Sequence, residues 1–332
     1  MSYISVYSDD VPLILERICE VPEMKRLLDV GMHCGCEYSS VPLYMGSDPY
    51  SRFEHSLGVA RIVWNFTRDI KQAVAGLLHD IATPVFAHTI DFMNEDHVSQ
   101  ESTEDMTSFF ISGSEEIAVL LEENGIHIDD VSDYHKYPIA DNDTPMLSAD
   151  RLEYTIGNAF TVYHTDLEQL RGVYNDLVVA ENELGIDELC FRNVDIARLF
   201  VRITLRNSRF YVSNEDRYLM QCLADVVSLA IDRGVLSRDD LLTTEVEVIG
   251  KLLGDTELSA AWGRYTQVSA VGVSPVRLSD VYCVRIPAKR RFIDPLVIND
   301  GGVCRVSALD AGIRAEIDEF LSLDFGDWLF AK

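Results

Sequence analysis

The chain reads as a mainly α-helical bundle closed by a small α/β tail. Three observations predict this. In segment after segment between Ser51 and about residue 254, apolar residues recur at helical spacing. Three successive segments, about 194–211, 215–233 and 238–254, have short links and no proline, as bundle helices require. Beyond residue 255 the character changes. VSAVGVSPV, VYCVRIP and RFIDPLVI are β-branched and punctuated by proline, which marks short strands, and SALDAGIRAEIDEFLSLDF closes as a helix. The expected organisation is 1–44, helices and a loop packed on the core; 45–255, the helical domain; and 256–332, the small α/β region.

Taken in order, residues 3–7 suit a short strand. A helix follows from about Val11, with Asp9 or Asp10 as its cap and Pro12 in its first turn. EMKRLLDVG is another short helix, stopped by Gly31. Residues 33–50 are loop-like. The helix at about 51–67 has Leu57, Ile62, Val63 and Phe66 on its apolar side, and the next, about 71–81, buries Val74, Leu77, Leu78 and Ile81. Pro84 disfavours helical geometry at Thr83, so that helix breaks there before a short one at 86–93. SEEIAVLLEENG is a helix with Gly125 as its stop. Residues 126–144 are polar and expected on the surface. PMLSADRLEYTIGNAFTVY is a helix with Leu147, Leu152 and Ile156 on one face and Asp150 on another.

The 332 residues are 47% hydrophobic and 25% charged, enough for one large domain or a large and a small one. Asp and Glu number 55 against 28 Lys and Arg, a net charge of −27. Such a surface repels nucleic acid and anionic membrane, which excludes both as expected partners. The seven cysteines are odd in number and lack CxxC spacing, as reduced thiols of a cytoplasmic protein would. The N-terminal stretch has no signal-peptide pattern and no later segment is long enough to span a bilayer.

The chemistry concentrates between Arg52 and Asp91. RFEHSLGVARIVWNFTRDI and KQAVAGLLHDIATPVFAHTID hold His55, the adjacent His79 and Asp80, and His88 with Asp91 three residues on. LSADRLEYTIGNAF adds Asp150. Imidazole nitrogens and carboxylate oxygens together are what a divalent metal accepts, so His55, His79, Asp80 and Asp150 are the expected ligands. Four such ligands leave room for water and a phosphate oxygen. His33, His127, His135 and His164 read as structural. Arg198, Arg202 and Arg206, with Arg209 nearby, form a stripe that suits either a ladder of salt bridges or part of a phosphate pocket.

RFEHSLGVA, AGLLHDIATPVFAHTID and DRLEY resemble the motifs of the HD-domain metal-dependent phosphohydrolase superfamily, and within it the deoxynucleoside triphosphate triphosphohydrolase-like branch. The likeness covers roughly residues 45–160. It implies an HD-domain helical bundle that holds one divalent metal (Mn, Fe, Ni, Zn or Mg) on the same four ligands. It also implies His88, tuned upward by Asp91, as general acid, and Arg52 and Arg151 as phosphate contacts. Tyr154 and Asn158 fall on substrate-side positions and Arg209 on a looser one. The implied partner is a phosphorylated small molecule, a nucleotide foremost, and a homo-oligomer is the family's habit.

The chain departs from the family at three places. Thr83 stands where the motif has a histidine, Gln100 replaces another unless His97 substitutes, and the family's glutamine-leucine-glycine is missing near Met32 to Cys34. The expected activity is therefore hydrolysis of a phosphate ester or anhydride. The alternative is a nucleotide-binding regulatory or assembly module with vestigial catalysis.

Overall fold

The computed structural model describes residues 2–98 and 106–332. It is mainly helical with a small sheet region, as the sequence predicts. Helix Arg52–Thr67 starts at a capping box: the Ser51 hydroxyl accepts from the Glu54 N–H, and the Glu54 carboxylate accepts from the Ser51 N–H. Helix Ile70–Leu78 follows a two-residue link, with Asp69 accepting from the N–H groups of Lys71 and Gln72. The two helices pack against each other, and Gly76 sits where an added Cβ would meet Val59 and Val63 at 3.2 and 3.4 Å. The second ends at Leu78, with His79 as its C-cap, earlier than 81. Arg26 holds the break after it, donating to the carbonyls of Ile81 at 2.9 Å, Thr83 at 2.8 Å and Thr243 at 3.1 Å. Phe86 and Ala87 then take φ of +61° and +41°, a left-handed geometry costly for residues with a Cβ, before helix His88–Met93 begins.

The helices at Ala149–Thr161, Val194–Tyr211 and Asn214–Asp232 lie close to their expected bounds. The strand content extends further than expected. β1 (Leu177–Glu181) and β2 (Asp187–Phe191) form a hairpin turning at Gly185, φ +71°. In the tail, β3 (Val271–Ser274) and β4 (Cys283–Val284) flank β7 (Trp328–Ala331). β5 (Leu296–Asn299) runs parallel to β2, and β6 (Gly302–Arg305) completes that four-stranded sheet. Arg305 ties the sheet together by pairing with the fully buried Glu188 and with Glu183.

Helix Ala311–Leu321 docks on helix Val194–Tyr211. Here the arginine stripe resolves as a ladder of ion pairs: Arg198 with Asp195 and Asp310, Arg202 with Glu316, Arg209 with Glu319. Arg206 lies over the ring of Tyr163. The tail expected from 256 onward is thus stitched to the helical body by a shared sheet and by these pairs.

Other local expectations change. Residues 3–7 are not a strand. Ser2 caps a single turn, Tyr3–Val6, because Tyr3, Val6 and Tyr7 are buried at spacings of three and four. Pro12 caps helix Leu13–Cys19, while Asp9 and Asp10 pair with Arg61 and Arg68. The expected helix at 238–254 is interrupted at Thr244, which caps Glu245–Gly254, and a further helix, Thr256–Thr266, follows. Residues 126–144 are not a surface excursion, since Val131, Ile139 and Ala140 are buried. All seven cysteines are free thiols. Among the described residues, no helix is long and apolar enough to cross a membrane.

Candidate metal centre

Two histidines meet at the end of the helix pair. The Nδ1–H of His55 donates to Glu153 Oε2 at 2.5 Å, and that of His79 donates to the Gly76 carbonyl at 2.8 Å. In its neutral form, with the proton on Nδ1, each ring presents Nε2 as a lone pair. The two Nε2 atoms lie 3.3 Å apart. Asp150 Oδ1 is 3.0 Å from His55 Nε2 and 3.7 Å from His79 Nε2. Asp80 Oδ2 is 3.9 and 3.6 Å from the same two atoms. One ligand atom from each of His55, His79 and Asp80 falls within a common 4.8 Å. Two lone pairs facing each other between two carboxylates repel, and a cation placed among them satisfies all four. The donor set therefore fits a divalent metal.

The electrostatics agree. Burial lowers the pKa of His55, but the bonds to Asp150 and Glu153 outweigh it and carry it to about 10. Negative charge is thus in excess at this point, and it draws either a proton or a metal. Burial likewise raises the pKa of Asp80, yet Arg52, His79 and His55 hold it well below the ordinary carboxylate range. Arg52 donates to Asp80 Oδ2 at 2.9 Å and the Thr83 hydroxyl donates to Oδ1 at 2.7 Å. Thr83, standing in place of the motif's histidine, orients the Asp80 carboxylate.

Glu153 was not singled out from the sequence, although it lies three residues after Asp150 and so on the same side of its helix. It is fully buried and accepts from Tyr50 Oη at 2.6 Å as well as from His55. A carboxylate behind a ligating histidine fixes its tautomer and raises its basicity. Two glycines make room for it. A Cβ on Gly58 would come within 2.5 Å of Glu153 Oε1, and one on Gly157 within 2.4 Å of Tyr50 Oη.

The centre opens on a cavity of about 1040 Å³. Its lining includes five cationic side chains (Arg52, Arg151, Arg217, Lys289, Arg291) and five aspartates (Asp80, Asp141, Asp143, Asp150, Asp216). Across the whole chain, acidic residues outnumber basic ones 55 to 28, so the cavity is rich in cations. Arg151 donates to the carbonyls of Asn142 and, at 3.0 Å, Met146, in the loop that walls this side. Tyr154 lines the cavity edge-to-face with Tyr211, centroids 6.2 Å apart. Asn158 also lines it, but its amide is engaged with His33, the Tyr154 carbonyl and Tyr211.

His88 lines the cavity too, with Nδ1 2.9 Å from the buried Asp91. Asp91 tunes it upward as expected, but the net shift is downward. Burial lowers its pKa below 6.5, Asp91 only partly restores it, and the charges of Arg291 and Arg52 push it down further. Its position at the start of a helix acts in the same direction.

Arg209 does not reach the cavity lining; its guanidinium is taken by Glu319. His97 bonds to Gln221, and Gln100 to Thr103 lie outside the described residues. His33 and His135, read as structural, line the cavity, as do Phe210, Tyr211, Lys289 and Arg291. The run AKRRF, conspicuous in so acidic a chain, was the available signal for the last two.

Residues 52–139 match the HD domain. The protein YdhJ of Bacillus subtilis, described as uncharacterised, is 25% identical over 266 residues, covering 80% of this chain and 79% of its own. A protein described as metal-dependent phosphohydrolase cns2, from Cordyceps militaris, is 24% identical over 176 residues, 52% of this chain and 48% of that one. Among solved structures, a hypothetical protein from Aquifex aeolicus superposes with a TM-score of 0.67 at 18% identity, over 97% of this chain and 93% of its own. A phosphohydrolase from Bacteroides thetaiotaomicron superposes with a TM-score of 0.61 at 16% identity, over 98% and 96%. The shared fold thus includes the tail as well as the HD domain.

Proposed function

We propose that the chain is a metal-dependent phosphohydrolase that cleaves a phosphate ester or anhydride, with a nucleotide as the substrate class. The observation that carries this reading is the convergence of two Nε2 atoms with Asp80 and Asp150 at the mouth of a cavity that five cationic side chains line. The names of the Cordyceps and Bacteroides proteins support the same reaction class. A divalent ion held by His55, His79, Asp80 and Asp150 would supply Lewis-acid polarisation of a phosphoryl oxygen.

The chain's own residues do the rest. Arg52 keeps Asp80 ionised and in place. Arg151 adds a guanidinium suited to phosphate. The depressed pKa favours the neutral form of His88, and with Nδ1 committed to Asp91, Nε2 first accepts a proton from the attacking water. It acts as an acid toward the leaving oxygen only after that. Tyr154 and Tyr211 offer aromatic surface to a base or sugar.

The test is phosphate release by protein stripped and reloaded with Mn, Mg, Co, Ni, Fe(II) or Zn, against nucleoside mono-, di- and triphosphates and simple phosphoesters. Turnover that disappears in His79→Ala is the expected result. Nucleotide binding without turnover under every metal would instead favour the regulatory module, a reading to which Thr83 in place of the motif's histidine already inclines.

A further inference from the structure

Residues 285–295 run between β4 and β5 without helix or strand, as a strap across the cavity. Both ends are anchored. The Ile286 carbonyl accepts from the buried Arg217, and the Asp294 N–H donates to the Pro145 carbonyl at 2.9 Å, in the loop that also holds Arg151. Arg290 is exposed and donates to the Leu323 carbonyl at 2.5 Å, over the ring of Phe325. Lys289 and Arg291, its neighbours on either side, are half-buried and line the cavity. Arg291 shares the cavity lining with His88, Tyr154, Tyr211 and Asp216, and beneath the larger effect of burial its charge lowers the pKa of each.

We propose that this strap is an anion-binding arm of the active site, with Lys289 and Arg291 holding a second phosphoryl group of a substrate whose first lies at the metal centre. The inference rests on the phosphate reading above and extends it to a substrate class. The metal centre and Arg151 suffice for one phosphoryl group. Two further cations, delivered into the same cavity by a segment distant in sequence, match an anion of higher charge. The acidic surface elsewhere would repel such a ligand, which makes the strap's two inward charges the more telling.

The experiment is titration calorimetry on Mn(II)-loaded protein, with tripolyphosphate added as its Mn(II) complex and orthophosphate as the smaller probe. Arg291→Ala and Lys289→Ala should each weaken tripolyphosphate by about tenfold to a hundredfold, the scale of one lost charge-assisted hydrogen bond, and orthophosphate by no more than about threefold. Arg290→Ala, on the outer face, should bind both probes as the parent does. Wild-type tripolyphosphate affinity in both inward variants, or an equal loss in Arg290→Ala, would overturn the proposal. If Arg291→Ala fails to fold by circular dichroism, Lys289→Met carries the test, since it keeps the chain length and drops the charge. If no phosphate compound is turned over while the charge-dependent loss persists, the hydrolase reading falls and the strap stands. Turnover of a polyphosphate substrate with unchanged KM in Arg291→Ala would do the reverse.

Discussion

The molecule buries two clusters of acids and treats them in opposite ways. At the metal centre, Asp80, Asp150 and Glu153 surround His55, His79 and Arg52. Elsewhere, Glu37 and Glu245 crowd Gly31. Glu245 accepts from the Gly31 N–H at 2.9 Å and from Tyr38 Oη at 2.7 Å, and a Cβ on Gly31 would fall 1.9 Å from Glu37 Oε1 and 3.6 Å from Glu245 Oε1. Burial pushes both of these carboxyls up, to about 7, and for Glu245 the proximity of Glu37 adds to that rise. A carboxylate removed from water needs a positive charge or a proton. The first cluster is shaped to receive a metal; the second retains a proton. The difference lies in what faces the acids: imidazole lone pairs in one case, another acid in the other.

This contrast can be broken by experiment. Chelating the metal should cost about 2.7 kcal/mol of stability relative to protein held at a hundredfold excess over its dissociation constant, read as a drop in melting temperature. Glu245→Gln should leave that drop unchanged. At the metal centre, Glu153→Gln should weaken metal affinity by about tenfold to a hundredfold in a competition titration, because His55 loses the carboxylate that sets its tautomer; undiminished affinity would assign Glu153 to packing alone.

The second cluster predicts a pH effect of definite sign. Between the ordinary value of 4.5 and about 7, the folded chain keeps a proton that the unfolded chain has released. Its contribution is therefore full below that window and is lost as pH rises through it, by up to about 1.4 kcal/mol per pH unit for each retained proton. Glu245→Gln should flatten this slope in melts from pH 5 to 8, and a parent whose stability contribution from this pair rises over that range would contradict the assignment. The smallest expected effect is Thr83→Val. It removes the hydroxyl bond to Asp80 Oδ1 and should cost about 1 kcal/mol in stability, with metal affinity reduced severalfold.

How far the site was legible differs along its perimeter. His55, His79, Asp80 and Asp150 were readable because their chemistry and spacing are local: an adjacent pair at a helix break, one histidine on the preceding helix, one aspartate near the start of a later one. Glu153 shared that helix with Asp150 but looked like any polar helical residue, since nothing in the chain announces which face is sealed. Arg209 looked like a pocket residue until the acidic helix Ala311–Leu321 supplied its partner. The direction of the His88 shift depended on burial and on Arg291, which is about two hundred residues away along the chain.

The sequence by itself determined the helical bundle and the changed character of the tail, and it singled out the four side chains that meet at the candidate centre, because periodicity and ligand chemistry act over a few residues. Only the tertiary structure decided that the tail joins β2 through β5, that residues 134–146 wall the cavity rather than skirt the surface, and that Lys289 and Arg291 face inward while Arg290 faces out. These are long-range pairings. Burial and electrostatic fields are properties of everything packed around a group, and a linear chain does not carry its neighbours in space.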